Sequence, residues 1–231
     1  MQAIQAKDIE AFKMALIGKV SNSTVNLKLR HTSAAFTFAM NQGYIEKNPC
    51  TGVKKLKVKG NNLPKYFSKE DAKNILQIIP DGRFEDLIYF YLYTGCRRDE
   101  ALNLKWEDID LKNRRVIFRE TKSGKSRMVP FNGQLSEVLV RMEQNPEKPF
   151  PFKSDFVTKK FKKYLKASSI KNADDLCVHS LRHSFASHLV MENVPIKTVS
   201  KLLGHSTIRV TEMYAHLAPD HLKDAVQNLR Y

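Results

Sequence analysis

Between Lys54 and Asn62 the chain loses its periodicity: Lys54-Lys55-Leu56-Lys57-Val58-Lys59-Gly60-Asn61-Asn62 combines charge with turn formers and offers no face to bury. Such a stretch separates two cores rather than joining one. The 231 residues are therefore expected to form two bodies, residues 1–58 and residues 64–231, with a linker at 59–63.

On the amino-terminal side the spacing is helical. Ile9, Phe12 and Leu16 lie on one face of a first helix, and Ser21-Asn22-Ser23-Thr24 precede a longer one carrying Val25, Leu29, Phe36, Ala39 and Met40, with Gly43 as its stop and Asn48-Pro49 as a turn. Beyond the linker, Ser68-Lys69-Glu70-Asp71 is a capping-box variant ahead of Ala72, Ile75 and Leu76. Leu87 to Tyr93 is a buried helix or strand, with Tyr89-Phe90-Tyr91 as core. Thr94-Gly95 then breaks the chain before a helix that places Arg97 near its start. The period changes to that of strands only at Val116-Ile117-Phe118 and Met128-Val129-Pro130-Phe131, with Lys122 close to the tip of the resulting hairpin. Leu181, Phe185 and Leu189 predict a helix entered through His179-Ser180. Pro195, Val199, Leu203 and Gly204 predict another, after which His205 projects from a turn. Ser206 or Thr207 is expected to cap a helix carrying Val210, Met213 and Tyr214, and Asp220 to Leu229 reads as a last amphipathic piece. The fold class is thus mainly α with a small β-sheet (α+β).

The chain carries 39 Lys and Arg against 24 Asp and Glu, a net charge of +15, which points to a polyanionic partner. Residues 1–63 hold ten Lys and Arg and three Asp and Glu, so the first quarter supplies nearly half of the excess. Lys54, Lys55, Lys57 and Lys59 are candidate phosphate contacts. Lys159, Lys160, Lys162, Lys163 and Lys166 read equally well as a solvated helix face or as phosphate contacts. Cys50, Cys96 and Cys177 are far apart and form no CxxC, so neither a disulfide framework nor a metal site is expected. With no apolar signal core and no spanning segment, the reading is a cytoplasmic, nucleoid-associated protein that does not enter a membrane.

Six dispersed side chains define a chemistry. A phosphodiester under attack concentrates negative charge on its oxygens, and two guanidinium groups, Arg97 and Arg182, suit that charge because each stays ionised and holds two oxygens. A phenol has a pKa of about 10 and is on the order of one part in a thousand ionised at neutral pH, so Tyr214 as a nucleophile needs a base, for which His179 is the candidate. Lys122 can protonate the departing 5′ oxygen, and His205 can donate to a phosphate oxygen. The product is a covalent phosphotyrosine that conserves the phosphodiester energy, so no cofactor is expected.

Thr94-Gly95-Cys96-Arg97-Arg98-Asp99-Glu100-Ala101-Leu102, Thr121-Lys122-Ser123-Gly124-Lys125-Ser126-Arg127, His179-Ser180-Leu181-Arg182-His183, Leu202-Leu203-Gly204-His205-Ser206 and Met213-Tyr214-Ala215-His216 resemble, in order and spacing, the boxes of the tyrosine recombinase (phage integrase) family. The resemblance implies that Arg97, Lys122, His179, Arg182, His205 and Tyr214 are catalytic, with Glu100 and His183 in support. It further implies a helical core-binding domain at residues 1–58, short by about one helix, and a catalytic domain at 64–231. By the same resemblance the two clamp double-stranded DNA in a C shape, as a homotetramer on two sites, with Asp220 to Leu229 docking on a neighbour and accessory DNA-bending or directionality proteins as partners. Asn193 stands where the family usually has glycine, a position that asparagine can hold in left-handed geometry. Two alternatives stay open: a helix-turn-helix regulator built on Val194 to His216 that does not cut DNA, and a type IB topoisomerase-like enzyme that nicks and reseals one strand.

Overall fold

The computed structural model of the protein describes residues 4–58, 63–80, 82–119, 126–142 and 148–219. The chain divides into two compact units, Met1–Asn62 and Leu63–Tyr231.

The first unit is built on α1 (Ala6–Leu16) and α2 (Asn22–Asn41). Ser21 starts α2 by accepting the backbone N–H of Thr24 at 3.2 Å. Ile9, Val25 and Leu29 form the core, with Leu16, Phe36, Cys50, Val53 and Leu56 packed on it. The expected stripe on α1 is corrected at one position: Phe12 is 39% exposed, while Lys13 is only 8% exposed. Lys13 lays its methylene stem over the core and directs its ammonium to the Lys54 carbonyl at 3.2 Å. Asn48 organises the following turn by donating to the Ser33 carbonyl and accepting from Cys50 N–H.

The aperiodic stretch after Val53 is fastened to α2 rather than hanging free. Asn26 accepts the N–H of Leu56 at 2.9 Å and donates to its carbonyl at 2.9 Å, and Asn22 donates to the Lys57 carbonyl at 2.8 Å. A carboxamide presents a donor and an acceptor side by side, so it stands in for a neighbouring strand. Lys54, Lys55 and Lys57 are thereby held exposed on an ordered backbone, and Lys59 lies outside the described residues.

In the second unit, α3 (Lys69–Ile78) and α4 (Gly82–Thr94) are followed by the short α5 (Arg98–Leu102). The sheet comprises β1 (Ile109–Asp110), β2 (Arg115–Phe118) and β3 (Arg127–Pro130), antiparallel in the order β1-β2-β3, with Val116 opposite Val129 and Phe118 opposite Arg127. β1, two residues long, is too short to leave a pattern in the sequence. Then come α6 (Gly133–Arg141), α7 (Ser154–Ala167), α8 (Val178–Met191) and α9 (Ile196–Leu203). Leu87 to Tyr93 belongs to a helix, and α4 is apolar nearly all round because it is the central element, with Leu87, Ile88, Phe90 and Tyr91 all buried. α8 packs along α4, and its Ser184 accepts the N–H of Phe67 at 2.8 Å, tying the entry of α3 to the same helix.

Two expectations change. The helix predicted around Val210, Met213 and Tyr214 is two 3₁₀ segments, Ile208–Val210 and Glu212–Leu217, because the β-branched run Thr207, Ile208, Val210 and Thr211 disfavours α-helix and neither Ser206 nor Thr207 caps it. The lysines of α7 divide: Lys160 covers the rings of Phe84 and Phe156, Lys162 donates to the Asp174 carbonyl, and Lys159, Lys163 and Lys166 face solvent. Asn193 holds the left-handed geometry expected of it, with φ of 62°. The hairpin tip with Lys122 and the segment Asp220 to Leu229 lie outside the described residues.

Removing both bonds of the Asn26 carboxamide in Asn26→Ala should destabilise the first unit by about 1 to 3 kcal/mol. Faster tryptic cleavage at Lys54, Lys55 and Lys57 than in the parent protein would register the release of the strip, and an unchanged rate would refute the staple.

Candidate active site

α4 ends at Thr94, and the chain reverses at Gly95, whose φ is +59°. A Cβ there would lie 2.3 Å from Cδ1 of Phe185, so only glycine makes this turn against α8. The reversal delivers Arg97 to the start of α5, where Glu100 accepts its backbone N–H at 2.7 Å and its Nη1 at 2.8 Å. Arg127 of β3 grips the same carboxylate with Nη1 at 2.8 Å and Nη2 at 2.6 Å. Burial opposes ionisation of Glu100, but the bonds and charge of Arg127, joined by the bonds of Arg97, prevail and hold its pKa at about 2.

α8 supplies three groups from successive turns of one side: His179, Arg182 and His183. The Arg182 guanidinium, 3% exposed, donates from Nη1 to the Gly95 carbonyl and from Nη2 to the Leu203 carbonyl, both at 2.7 Å. Burial, then Arg97 and Arg127, lower its pKa to about 10, which leaves it charged at neutral pH. α9 closes on Gly204, left-handed with φ of +67°, and the next residue, His205, sets Nδ1 2.7 Å from the Thr211 hydroxyl. Tyr214 comes back from the 3₁₀ segment against α8 and places its hydroxyl 2.6 Å from Nδ1 of His183.

The protonation states follow from the crowding of cations. Burial depresses His205 to about 4, assisted by Arg182, Arg97 and Arg127, and depresses His183 to about 4, assisted by His179, Arg182 and His205. His179 is lowered for the same reasons, desolvation first and then Arg182 and Arg97. All three imidazoles are neutral around pH 7. Tyr214 is 2% exposed among Ala186, Val190, Val199 and Leu203, and burial pushes its phenol up to about 12 against the pull of Arg182. The arrangement is a cationic centre with neutral imidazoles and a protonated phenol, suited to receive an anion. A cleft of about 880 Å³ leads away from Arg97 and His179 between basic Arg98, Lys105 and Arg119 and acidic Asp99, Glu107 and Asp108. Among the described residues, no three His, Cys, Asp or Glu side chains stand together as a metal site.

Arg97, Glu100, His179, Arg182, His183, His205 and Tyr214 thus meet in one region of the second unit. Lys122 is not among the described residues, and Lys54, Lys55 and Lys57 belong to the other unit. The imidazole on the Tyr214 hydroxyl is that of His183, whereas the sequence reading named His179 as the candidate base. His183 sits one helical turn further toward the segment that carries Tyr214, while His179 packs edge-on against the His183 ring at 4.7 Å. Arg127 escaped the sequence reading because an arginine beside Lys125 on a hairpin strand looks like surface charge. Its side chain is 7% exposed, and the partner it buries against, Glu100, is distant in sequence.

The model of the Phage integrase family matches residues 65–221. The tyrosine recombinase XerA of Thermococcus kodakarensis is 33% identical over 221 residues, covering 91% of this chain and 76% of the relative. The integrase of Escherichia phage P2 is 32% identical over 208 residues, covering 90% and 59%. Among solved structures, the Tn1549 transposon integrase in complex with transposon right end DNA has a TM-score of 0.78 at 22% identity, covering 97% of this chain and 85% of that one. A lambda integrase dimer bound to a COC' core site also has a TM-score of 0.78, at 20% identity, covering 93% and 65%. At these identities the structural likeness establishes the fold: a mostly helical chain with a small sheet.

Because His183 and His205 are depressed in the folded protein, the unfolded chain binds more protons between their ordinary pKa of about 6.5 and about 4. The stability they contribute is complete above pH 6.5 and is lost as pH falls toward 4. Thermal unfolding of the DNA-free protein should therefore shift downward across that window, and the slope should flatten in His183→Asn with His205→Asn. An equal slope in that double variant would show that these imidazoles are not the titrating groups.

Proposed function

The chain belongs to the phage integrase family, and we propose that it is a site-specific DNA recombinase that cuts and rejoins double-stranded DNA through a 3′-phosphotyrosine at Tyr214. The observation that carries this reading is the Tyr214 hydroxyl 2.6 Å from a neutral imidazole, within the influence of the Arg182 charge. In this scheme Arg97 and Arg182 hold the scissile phosphate. Two of the five N–H groups of Arg182 are engaged with main-chain carbonyls, and the others are suited to phosphate oxygens. With Thr211 donating to Nδ1 of His205, the Nε2–H of that ring is offered to the phosphate, and His179 lines the cleft beside Arg97.

Tyr214 has to leave its pocket to reach phosphorus. The 3₁₀ hydrogen bonds of Glu212–Leu217 are poorer than those of an α-helix, which suits a segment that must re-form around DNA. As the tyrosyl oxygen bonds to phosphorus, His183 takes the phenolic proton, the bond from phosphorus to the 5′ oxygen breaks, and Lys122 protonates the departing oxygen. A 5′-hydroxyl from another strand reverses the steps and completes strand exchange, with no nucleotide consumed. A helix-turn-helix reader would require a second α-helix after Gly204, where this chain has 3₁₀ turns and buries Tyr214.

Exposed Lys54, Lys55 and Lys57, with Lys59, extend the grip along the DNA backbone, consistent with the +15 charge of the chain. The family reading extends to a homotetramer on two DNA sites, to accessory DNA-bending or directionality proteins, and to a place at the nucleoid in the cytoplasm. The lambda integrase dimer on its core site supports assembly on DNA. Among the described residues, no helix is long and apolar enough to cross a membrane.

A nicked suicide duplex carrying the DNA that flanks the gene should trap the protein covalently, and Tyr214→Phe should abolish the adduct. Arg182→Lys keeps a charge but loses the planar fork, and should slow trapping by roughly a hundredfold or more. An adduct that persists in Tyr214→Phe would sink the assignment of the nucleophile.

A further inference from the structure

We propose that Arg127 is a positioning residue that orients Arg97 through Glu100 and His205 through the carboxyl end of α9. Its consequence for catalysis rests on the recombinase reading, whereas its geometry does not depend on DNA.

Arg127 has no outward role. Its side chain is 7% exposed, against 29% for that of Arg97, and its guanidinium carbon lies 4.4 Å over the Phe118 ring. Each of its three nitrogens is engaged: Nη1 and Nη2 on the two oxygens of Glu100 and Nε on the Leu202 carbonyl at 3.1 Å. With each nitrogen bonded to the protein and one face covered by Phe118, this guanidinium serves the alignment of its neighbours rather than a phosphate.

Its partners are themselves one step from the reacting groups. Glu100 holds both the backbone N–H and the Nη1 of Arg97, so the direction of the Arg97 side chain is set by a carboxylate that Arg127 fixes in place. Leu202 lies in the last turn of α9, where main-chain carbonyls lack helical partners and carry the negative end of the helix dipole. Arg127 takes the Leu202 carbonyl and Arg182 takes that of Leu203, so two guanidiniums grip adjacent peptides immediately before Gly204-His205. The Arg127 side chain also packs against that turn: a Cβ on Gly204 would lie 2.6 Å from Arg127 Cδ. The phosphate-facing arginine of one element and the histidine of another are therefore set by a single side chain of β3. A lysine would retain the charge, but its point ammonium cannot satisfy a bidentate carboxylate and a carbonyl in one plane.

The test uses the full chain and two readouts on Arg127→Lys, with thermal unfolding followed in parallel. Without DNA, in protein labelled with ¹⁵N-histidine, the His205 ring resonances should move while those of His31, in the other unit, stay in place. With the nicked duplex, the DNA concentration giving half-maximal trapping should stay within about twofold, because Arg127 does not meet DNA, and the saturating rate should fall on the order of a hundredfold. Should Arg127→Lys unfold below the assay temperature, Glu100→Gln, which weakens the bonds to both arginines while keeping the shape, should give the same split in rate. A folded Arg127→Lys with an unmoved His205 resonance overturns the proposal, and so does a defect confined to the half-maximal DNA concentration. Absence of trapping by the parent protein counts against the recombinase reading alone, since the His205 resonance judges the positioning without DNA.

Discussion

The buried bridge of Arg182 between the Gly95 and Leu203 carbonyls is the tie on which the second unit's site depends. A guanidinium that is 3% exposed must be solvated by the protein, and these two carbonyls are available because neither belongs to a completed helical ladder. One is the carbonyl of a left-handed glycine, and the other is the last of a helix. The bond pattern fixes three elements relative to one another: the turn before Arg97, the helix that carries His179 and His183, and the turn before His205. Arg127 repeats the device at the next carbonyl, and its second partner, Glu100, carries the alignment to Arg97.

The electrostatics of the site follow from that packing. Three arginines gathered around a single carboxylate, Glu100, leave a surplus of positive charge, and the histidines respond by staying neutral. A phosphodiester would supply the missing anion, lower the cost of protonating His183 and His205, and favour the state in which the tyrosyl proton has moved. Burial keeps Tyr214 protonated.

The first unit solves a different problem with ordinary means. A basic strip with no periodicity packs through Leu56, and Asn22 and Asn26 pair its backbone to α2 and hold its lysines outward. Ordering the backbone in advance removes entropy that binding to a polyanion would otherwise have to overcome.

Much of this was legible in the residues. Helical spacing located α2, α8 and α9, the two short extended runs located the hairpin strands, and Gly95 and Gly204 marked turns because the chain needs left-handed geometry there. The boxes containing Arg97, Arg182, His205 and Tyr214 named the chemistry, since few reactions call for two guanidiniums, imidazoles and a phenol together. Other features had no local signature. That His183 rather than His179 receives the Tyr214 hydroxyl depends on how far along α8 the last segment docks, and that this segment is 3₁₀ depends on a β-branched run competing with an apolar pattern that suggested α-helix. Arg127 is one cation among many until the sheet carries it beneath Glu100 and Gly204. The sequence by itself determined which chemical groups are available and on which elements they lie, because residue type and spacing specify chemistry and local geometry. Only the tertiary structure decided which group touches which and with what proton affinity, because burial and long-range charge arise only when distant segments close on one another.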